Sequence, residues 1–397
     1  MIRSFARCSG WFLAALVVCA ALPHFAVAAP AHALAAPHLH VLAAGTLFNW
    51  LDKEVNLTDA ALTVRAQAVA ALDPGAILSP AFFPRVDARS VRLRDITTLI
   101  ARPVSDRREW NAPGRQIPLK VPSFRDVEML PVEGYFKMEE QEMQRLIEGA
   151  AGNEAVFRSI VGPEIPVRTD GLVVANMRRI DLDAFRAWGT GIVTVRNPQG
   201  SGADKVVDFQ FDSSRYVTPS AWTATPSTGT AFSEFMVETY NAQNLIGSLR
   251  GAVMRLSTYQ AMQNTAPLRV GQAYPLSRAE LEAILSAEFG GPFSLIVFED
   301  TVEVFNDGGQ EYTSTKIWPA QTVAWIPASG IIGSTYYAPV VSAYGLAAAN
   351  PGMEIDVNGM TVVKTISNEG KELGVRCQVN ALAVPNEQAL YVVNAGV

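Results

Sequence analysis

The chain has 397 residues, of which 49% are hydrophobic, and its 38 acidic and 32 basic side chains give a net charge of −6. This length and hydrophobic content are sufficient for a large buried core, in two domains or in one domain with large excursions. The negative balance argues against a surface that binds nucleic acid tightly, because phosphate binding requires concentrated lysine and arginine.

The first 40 residues differ in composition from the rest of the chain. They hold all four histidines and two of the three cysteines, and residues 12–33 form an apolar segment, FLAALVVCAALPHFAVAAPAHA. Two arginines precede this segment, and the small residues at 26–28 offer a cleavage site, which is the pattern of a secretory signal peptide. The alternative interpretation is upstream coding sequence, with translation beginning near Val41.

The predicted elements begin with an arm at residues 41–85. Its helical part is expected to start at an N-cap, Thr58 or Asp59, and to end before the Asp-Pro-Gly sequence at 73–75. The next stretch, ILSPAFFPR at 77–85, is predicted to form no regular element because it contains two prolines.

Residues 86–130 are predicted to form strands on either side of a charged excursion. SVRLRDITTLIARPV alternates early, as a half-buried strand does. The excursion that follows, SDRREWNAPGRQIPLKVPSFRDVEML, is rich in charge and proline and has no apolar face. It is either a solvated loop or an arm that finds its partner on a neighbouring subunit.

Two helices are predicted further on, at residues 137–160 and 170–188. In the second helix apolar side chains recur at helical spacing, and the strand GIVTV follows it. Three arginines lie off the apolar line of this second helix: Arg178, Arg179 and Arg186.

The C-terminal half is predicted to begin with helices and to continue with strands. One helix is expected at 231–250, and another starts at a capping box formed by Ser277 and Glu280. The predicted strands are FSLIVFE, TVEVF and EYTST in a hairpin that turns at Asp307-Gly308, QTVAWIPA, GMTVVKTI and GVRCQVNALAVP.

Residues 41–397 lack the side chains that most catalytic sites need. They contain no histidine and a single cysteine, Cys377, so a Ser-His-Asp or Cys-His site and an intrachain disulfide framework are excluded there. Cys377 lies in an alternating strand pattern, which favours a buried, inert thiol. DVNG at 356–359 supplies only half of a calcium loop. We therefore expect no enzyme activity, no cofactor and no metal site.

The order of these parts resembles the lambda-type major capsid protein E family of tailed phages, which has the capsid fold named for phage Hong Kong 97. EWNAPGRQIPLKVPSFRDVEMLPV resembles the family's extended loop, and NMRRIDLDAFRAWGTGIVTV resembles its spine helix with the strand that follows. GSTYYAPV and VRCQVNALAVPNEQALYVV resemble stretches of its C-terminal third. The resemblance implies an α+β fold of the Hong Kong 97 type and self-assembly into an icosahedral shell.

The resemblance also implies a division of the chain. Its parts are the leader (1–40), an N-terminal arm (41–85), the extended loop with its flanking strands (86–130), a peripheral domain with the spine helix (131–212), an axial domain (213–338) and C-terminal strands that return to the peripheral domain (339–397).

Three kinds of partner are implied by the same resemblance. Copies of the chain in pentamers and hexamers are expected to meet at loop residues and facing acids: Arg107, Arg108, Trp110, Asn111, Arg115, Lys120, Glu139, Glu140 and Glu142. Packaged double-stranded DNA is expected to meet the spine helix, without sequence specificity, at Arg178, Arg179 and Arg186. Further implied partners are a portal, a scaffold or protease and a decoration protein, with no membrane.

The implied location is the virion capsid, assembled in the cytoplasm of the bacterial host. If the leader is a genuine signal peptide, the alternative is a secreted or periplasmic, strand-rich binding or adhesion module. This alternative explains the lack of catalytic residues equally well. It does not explain why a charged loop, an arm and a long helix follow one another in capsid order.

Overall fold

In a computed structural model of the chain, the described residues all belong to one compact unit within residues 42–397. The predicted leader, residues 1–40, lies outside the described residues. The structure describes residues 58–72, 79–97, 123–138, 141–142, 145, 154–195, 205–219, 221–224, 229–265, 276–305, 312–366 and 373–396.

The described residues form helices and strands in alternation, which confirms the predicted α+β class. The helices are α1 (Asp59–Ala71), α2 (Ser79–Phe82), α3 (Glu154–Thr190), α4 (Ala231–Ile246), α5 (Leu256–Gln263), α6 (Arg278–Phe289) and α7 (Val341–Ala349), with a 3-10 turn at Glu387–Ala389. The strands are β1 (Arg85–Asp87), β2 (Arg92–Thr97), β3 (Ser123–Glu128), β4 (Pro131–Met138), β5 (Ile192–Val195), β6 (Lys205–Asp208), β7 (Tyr216–Val217), β8 (Leu249–Met254), β9 (Ser294–Val297), β10 (Thr301–Phe305), β11 (Tyr312–Lys316), β12 (Thr322–Pro327), β13 (Gly333–Ala338), β14 (Thr361–Ile366), β15 (Leu373–Pro385) and β16 (Val392–Asn394).

Two five-stranded sheets organise these elements. Sheet one runs β1-β13-β15-β14, and β4 also pairs with β15. The long strand β15 binds β14 and β4 through its first half and β13 through its second half, always antiparallel. Sheet two runs β7-β16-β12-β8-β9. Separate two-stranded ladders join β2 to β3, β5 to β6 and β10 to β11.

Strand pairing joins segments that are far apart in the chain. β13, in the expected axial segment at 213–338, pairs with β1 and β15 of sheet one. β16, in the expected returning segment at 339–397, pairs with β12 and β7 of sheet two, and the division into domains stays a prediction. Pairing between distant strands is a long-range contact, which local patterning does not encode.

The helical part of the expected N-terminal arm packs on its own subunit. Thr58 caps α1 as predicted, since its hydroxyl accepts a hydrogen bond of 3.1 Å from the amide of Ala61. Leu62 and Ala66 are buried in the core of sheet one. The Thr63 hydroxyl accepts from the Val362 amide at 3.0 Å, which ties α1 to β14.

Prolines are tolerated in this chain more than the sequence rules predict. ILSPAFFPR contains the helical turn α2, in which Pro80 occupies the first turn and therefore removes no helical hydrogen bond.

The predicted helix at 137–160 is wrong at its start, because β4 extends to Met138. The second predicted helix is the C-terminal half of α3, whose 37 residues include Pro163 and Pro166.

The helices α4, α5 and α6 pack against sheet two around large aromatic side chains. Trp222, Phe235 and Trp325 lie in one buried cluster, and the Trp325 indole N–H donates to the Thr239 hydroxyl at 3.0 Å. The capping box at Ser277 is confirmed, with the side chain of Glu280 accepting from the Ser277 amide at 2.7 Å. The predicted turn at Asp307-Gly308 lies outside the described residues.

We predict that replacing Gly251 destabilises sheet two. Gly251 pairs with Ser294 across the parallel strands β8 and β9, and a Cβ at this position would overlap the Ser294 carbonyl oxygen. Overpacking of this kind typically costs about 1–3 kcal/mol. We therefore expect Gly251→Ala to lower the free energy of unfolding in urea by about that amount.

Gly291→Ala is the matched control for this substitution. A Cβ at Gly291 would meet no heavy atom within 4 Å, so its effect on the unfolding midpoint is expected to be small. Equal midpoints for the two variants would contradict the assigned pairing of β8 with β9.

Candidate assembly surface and the long helix

The long helix α3 contacts the cores of both sheets. Ile165, Val173 and Ile180 are buried in the core of sheet one. One to two turns later Phe185 and Trp188 enter a second core, which contains residues of β12 and of the β10–β11 ladder. The Trp188 ring lies edge-on to Trp318, 5.1 Å between ring centroids. α3 therefore joins the two sheets through a continuous buried face.

Close backbone approaches hold α3 in this position. A Cβ at Gly134 of β4 would lie 3.1 Å from the Leu172 side chain, and one at Gly189 would lie 2.7 Å from the Pro319 ring. The buried Asn176 amide donates to the Cys377 carbonyl of β15 at 3.0 Å. These contacts leave little freedom for α3 to slide along sheet one.

The three arginines expected to face DNA differ in exposure and in their partners within the chain. Arg178 is exposed and has no ion pair with a described residue. Arg179 is held instead, because its Nε donates to Asp183 at 3.1 Å and its Nη2 donates to the Thr194 carbonyl at 2.9 Å. Arg186 is half-buried and lies on the Arg179 side of the helix, seven residues further along.

Asp183 lies near Arg179 and Arg186, and its carboxyl group binds a proton more tightly than an ordinary aspartate does. Burial raises the pKa of Asp183 to about 6, although Arg179 and Arg186 act in the opposite direction. The carboxylate is thus only partly compensated by its neighbours, and removing it from water costs free energy in the folded state.

Two further cations lie near Arg186 in space but not in sequence. Arg255, directly before α5, and Lys316, at the end of β11, line the same groove as Arg186. Neither residue is among those expected from the sequence. No local signal identifies them, because the three residues come from separate elements that only the tertiary fold brings together.

The strands β2 and β3 form an antiparallel stem at the expected position of the extended loop. Arg92 pairs with Glu128 at one end of this stem, and Thr97 pairs with Ser123 at the other. Residues 98–122, which connect the two strands, lie outside the described residues. So do all the expected subunit-contact residues except Glu142: Arg107, Arg108, Trp110, Asn111, Arg115, Lys120, Glu139 and Glu140.

Glu142 is paired within its own subunit. Its carboxylate accepts a hydrogen bond from Arg168 of α3, and Arg168 also donates to Glu164 at 2.7 Å. The hydrogen bond that Arg168 donates to Glu142 is the main reason that the pKa of Arg168 is raised. An acid on a neighbouring copy is therefore not needed to balance this arginine.

The described residues contain little that indicates a catalytic or metal-binding site. Cys377 is fully buried, and burial raises the pKa of its thiol to about 12, so it is not a nucleophile. Across the described ranges, no three histidine, cysteine or acidic side chains are grouped so that they could bind a metal ion. No helix within those ranges combines the length and the apolar content that crossing a bilayer requires.

We predict that Asp183 makes the stability of the folded chain depend on pH. Its folded pKa of about 6 exceeds the ordinary value of 3.8, so the folded state binds the proton more tightly. The free energy of unfolding should therefore fall as pH rises from about 4 to about 6, by up to about 3 kcal/mol from this group. Urea unfolding of the dissociated chain across this range measures the effect.

Asp183→Asn should remove this part of the pH dependence, because an amide does not ionise. Asp170→Asn, on the same helix, changes the net charge equally and should leave the fall in the free energy of unfolding with rising pH in place. Parallel pH profiles for the parent chain and Asp183→Asn would contradict the prediction.

Comparisons with known proteins return structural likeness and no sequence match. No protein-family model matches the chain, and no curated protein matches it. A protein described as a prophage capsid protein of Escherichia coli CFT073 has 12% identity and a TM-score of 0.49, covering 89% of this chain and 99% of that one.

Two other solved structures give lower TM-scores. A phage-related protein from Bordetella bronchiseptica RB50 has 10% identity and a TM-score of 0.43, covering 84% of this chain and 96% of that one. The capsid of Myoviridae phage XM1 has 9% identity and a TM-score of 0.44, covering 80% of this chain and 90% of that one.

Proposed function

We propose that this chain is the major capsid protein of a tailed phage or prophage, related to the lambda-type E family and folded in the Hong Kong 97 manner. It assembles into an icosahedral shell around packaged double-stranded DNA. The observation that carries this proposal is the order of its elements. The β2–β3 stem leads through β4 into a 37-residue helix that joins two five-stranded sheets, which is the order that the resemblance implies.

The loop at the end of the β2–β3 stem suits contact with another subunit. Its sequence carries Arg107, Arg108, Arg115 and Lys120 among several prolines. Prolines restrict the unbound chain, which lowers the ordering entropy lost on docking. Glu139 and Glu140 of a neighbouring copy supply opposite charge, and such pairing sets register more than affinity.

The outer face of α4 and α6 offers an apolar surface for contact with another subunit. Val237, Tyr240 and Leu245 of α4 are exposed, as is Ile284 of α6, and the Tyr240 ring lies 5.1 Å from the Phe289 ring at the end of α6. Exposed apolar groups on neighbouring helices are typical of contact surfaces. In a shell of many copies each contact can be weak, because the contacts act together.

The remaining partners and the location belong to the same proposal. A shell of this kind assembles in the cytoplasm of the bacterial host and has a portal, a scaffold or protease and a decoration protein as partners. The chain acts as a structural protein and not as an enzyme. The lack of histidine in residues 41–397 and the burial of Cys377 support that role.

We expect the chain to form large particles. Expressed in the bacterial cytoplasm from Met1 and, separately, from Val41, it should yield closed shells, tubes or discrete pentamers and hexamers. Sedimentation velocity and negative-stain microscopy measure the particle size. A stable monomer or dimer at high concentration, with crowding agent and scaffold supplied, would refute the capsid proposal.

The apolar segment at residues 12–33 favours a second candidate function, an exported, strand-rich binding or adhesion module. Intact-mass measurement of the chain made from Met1 distinguishes the two functions. Cleavage after residue 28 together with a small particle size would support the exported module. Assembled particles whose subunits begin near Val41 would support the capsid.

Removing two positive charges from the loop between β2 and β3 should weaken assembly and leave the thermal stability of the dissociated subunit unchanged. We expect the double variant Arg107→Gln, Arg108→Gln to raise the subunit concentration needed for particle formation by about tenfold or more, because each particle repeats the lost contact many times. Its thermal unfolding as a dissociated subunit should match that of the parent. Light scattering against subunit concentration provides the measurement.

The matched control is Arg65→Gln with Arg376→Gln, which removes the same charge from two exposed ion pairs within the subunit. Exposed pairs of this kind contribute little to stability. If the control and the loop variant weaken assembly equally, net charge and not the loop contact is responsible.

A further inference from the structure

An open groove of about 650 Å³ lies where the C-terminal end of α3 meets the β10–β11 ladder. Its lining combines three cations, Arg186, Arg255 and Lys316, with hydroxyl groups from α3, β5 and β11. Among the described residues no acid lines it, although acids outnumber bases in the chain as a whole. Two acids lie behind its cations, since Glu299 pairs with Lys316 and Asp183 interacts with Arg186, so the unbalanced charge of the groove lies mainly on Arg255.

Arg255 gives the groove a positive charge that the chain does not neutralise. Its guanidinium is held in place by the Trp318 carbonyl, to which Nε donates at 2.7 Å and Nη2 also donates. Among the described residues it has no carboxylate partner, and a carbonyl oxygen does not balance a full charge. A guanidinium fixed in this way retains donors for an anion and loses little entropy on binding one.

Lys316 adds a charge that can change partner. It forms an ion pair with Glu299, whose other oxygen accepts from the Leu256 amide at 2.7 Å. The Lys316 side chain is 43% exposed, and exposed pairs of this kind contribute little to stability. An incoming phosphate can therefore recruit this ammonium at small cost.

Two hydroxyl groups add to this phosphate-binding set. Thr194 lies on β5 and Ser314 is exposed on β11, whereas the Thr190 hydroxyl donates to the Arg186 carbonyl at 2.7 Å. Arginine, lysine, serine and threonine are the side chains that contact phosphate and sugar in protein–DNA complexes. The described residues that line the groove include no aromatic side chain, so they offer no platform on which unpaired bases could stack.

We propose that this groove binds the phosphodiester backbone of double-stranded DNA through Arg186, Arg255 and Lys316, without reading its sequence. The proposal rests on the capsid function, because it assigns the contact with packaged DNA to this groove and not to the exposed side of α3 that carries Arg178. With about three phosphate contacts at most, binding is weak and strongly dependent on salt.

The test is fluorescence anisotropy of a labelled duplex of mixed sequence, titrated with the full chain at several NaCl concentrations. Each phosphate contact contributes a slope of about −0.9 to log K against log salt. The double variant Arg186→Gln, Lys316→Gln should therefore reduce the slope by about 2. At about 0.1 M salt each lost contact weakens binding on the order of tenfold.

Ser314→Glu provides a second variant in case the first is poorly folded. It places a carboxylate at an exposed strand position in the groove and should also weaken binding. The matched controls are Arg65→Gln with Arg376→Gln, which lowers the net charge equally elsewhere, and Arg178→Gln on the exposed side of α3. Both controls should keep the parent slope.

Two results would overturn the proposal. One is parent-like DNA affinity and salt slope in both groove variants, above all if Arg178→Gln lowers the slope instead. The other is displacement of the duplex by inorganic phosphate far beyond the effect of chloride at equal ionic strength, which would indicate a site for a small anion.

Sedimentation of the same samples separates this inference from the capsid proposal. If particles form while the groove variants leave DNA affinity unchanged, the groove inference fails alone. If the parent forms no particles but its DNA binding depends on the groove, the capsid proposal fails alone.

Discussion

The burial of one face of α3 against two sheets is the constraint on which the rest of the structure depends. A helix of 37 residues is about 55 Å long, so its middle and its C-terminal end lie against different parts of the chain. Each large apolar side chain that it buries contributes about 1.5–3 kcal/mol. Ile165, Val173 and Ile180 bury against sheet one, and Phe185 and Trp188 bury beside sheet two.

This arrangement determines which parts of the chain remain available for contacts with other molecules. α1 is used internally, since Leu62 and Ala66 complete the core between α3 and sheet one. Glu142 is used internally as well, through Arg168. The stem of β2 and β3 pairs only with itself among the described strands, so the connection at 98–122 starts from a ladder that belongs to neither five-stranded sheet.

The charged side chains also divide into those that are paired within the chain and those that remain available to bind another molecule. Arg179 is engaged by Asp183 and by the Thr194 carbonyl, which makes it a structural cation. Arg255 is positioned by the Trp318 carbonyl, and it lines an open groove. Two half-buried arginines thus differ in what they can do, because among the described residues Arg179 has a carboxylate partner and Arg255 has none.

Much of the secondary structure follows from the sequence by itself, because capping and alternation are local. Thr58, the capping box at Ser277 and Glu280, and the alternating apolar positions of β14 and β15 each specify an element within a few residues. The lack of histidine after residue 40 likewise excludes whole classes of catalytic site without any structure.

Tertiary structure decided what those local signals leave open. Pro163 and Pro166 lie inside a helix, which their local effect would end, because α3 is held by its packing on both sheets. The pairing of β13 with β15 and of β16 with β12 has no local signal, since these partners lie more than 40 residues apart. The groove of Arg186, Arg255 and Lys316 brings together three elements, and no sequence pattern spans such distances.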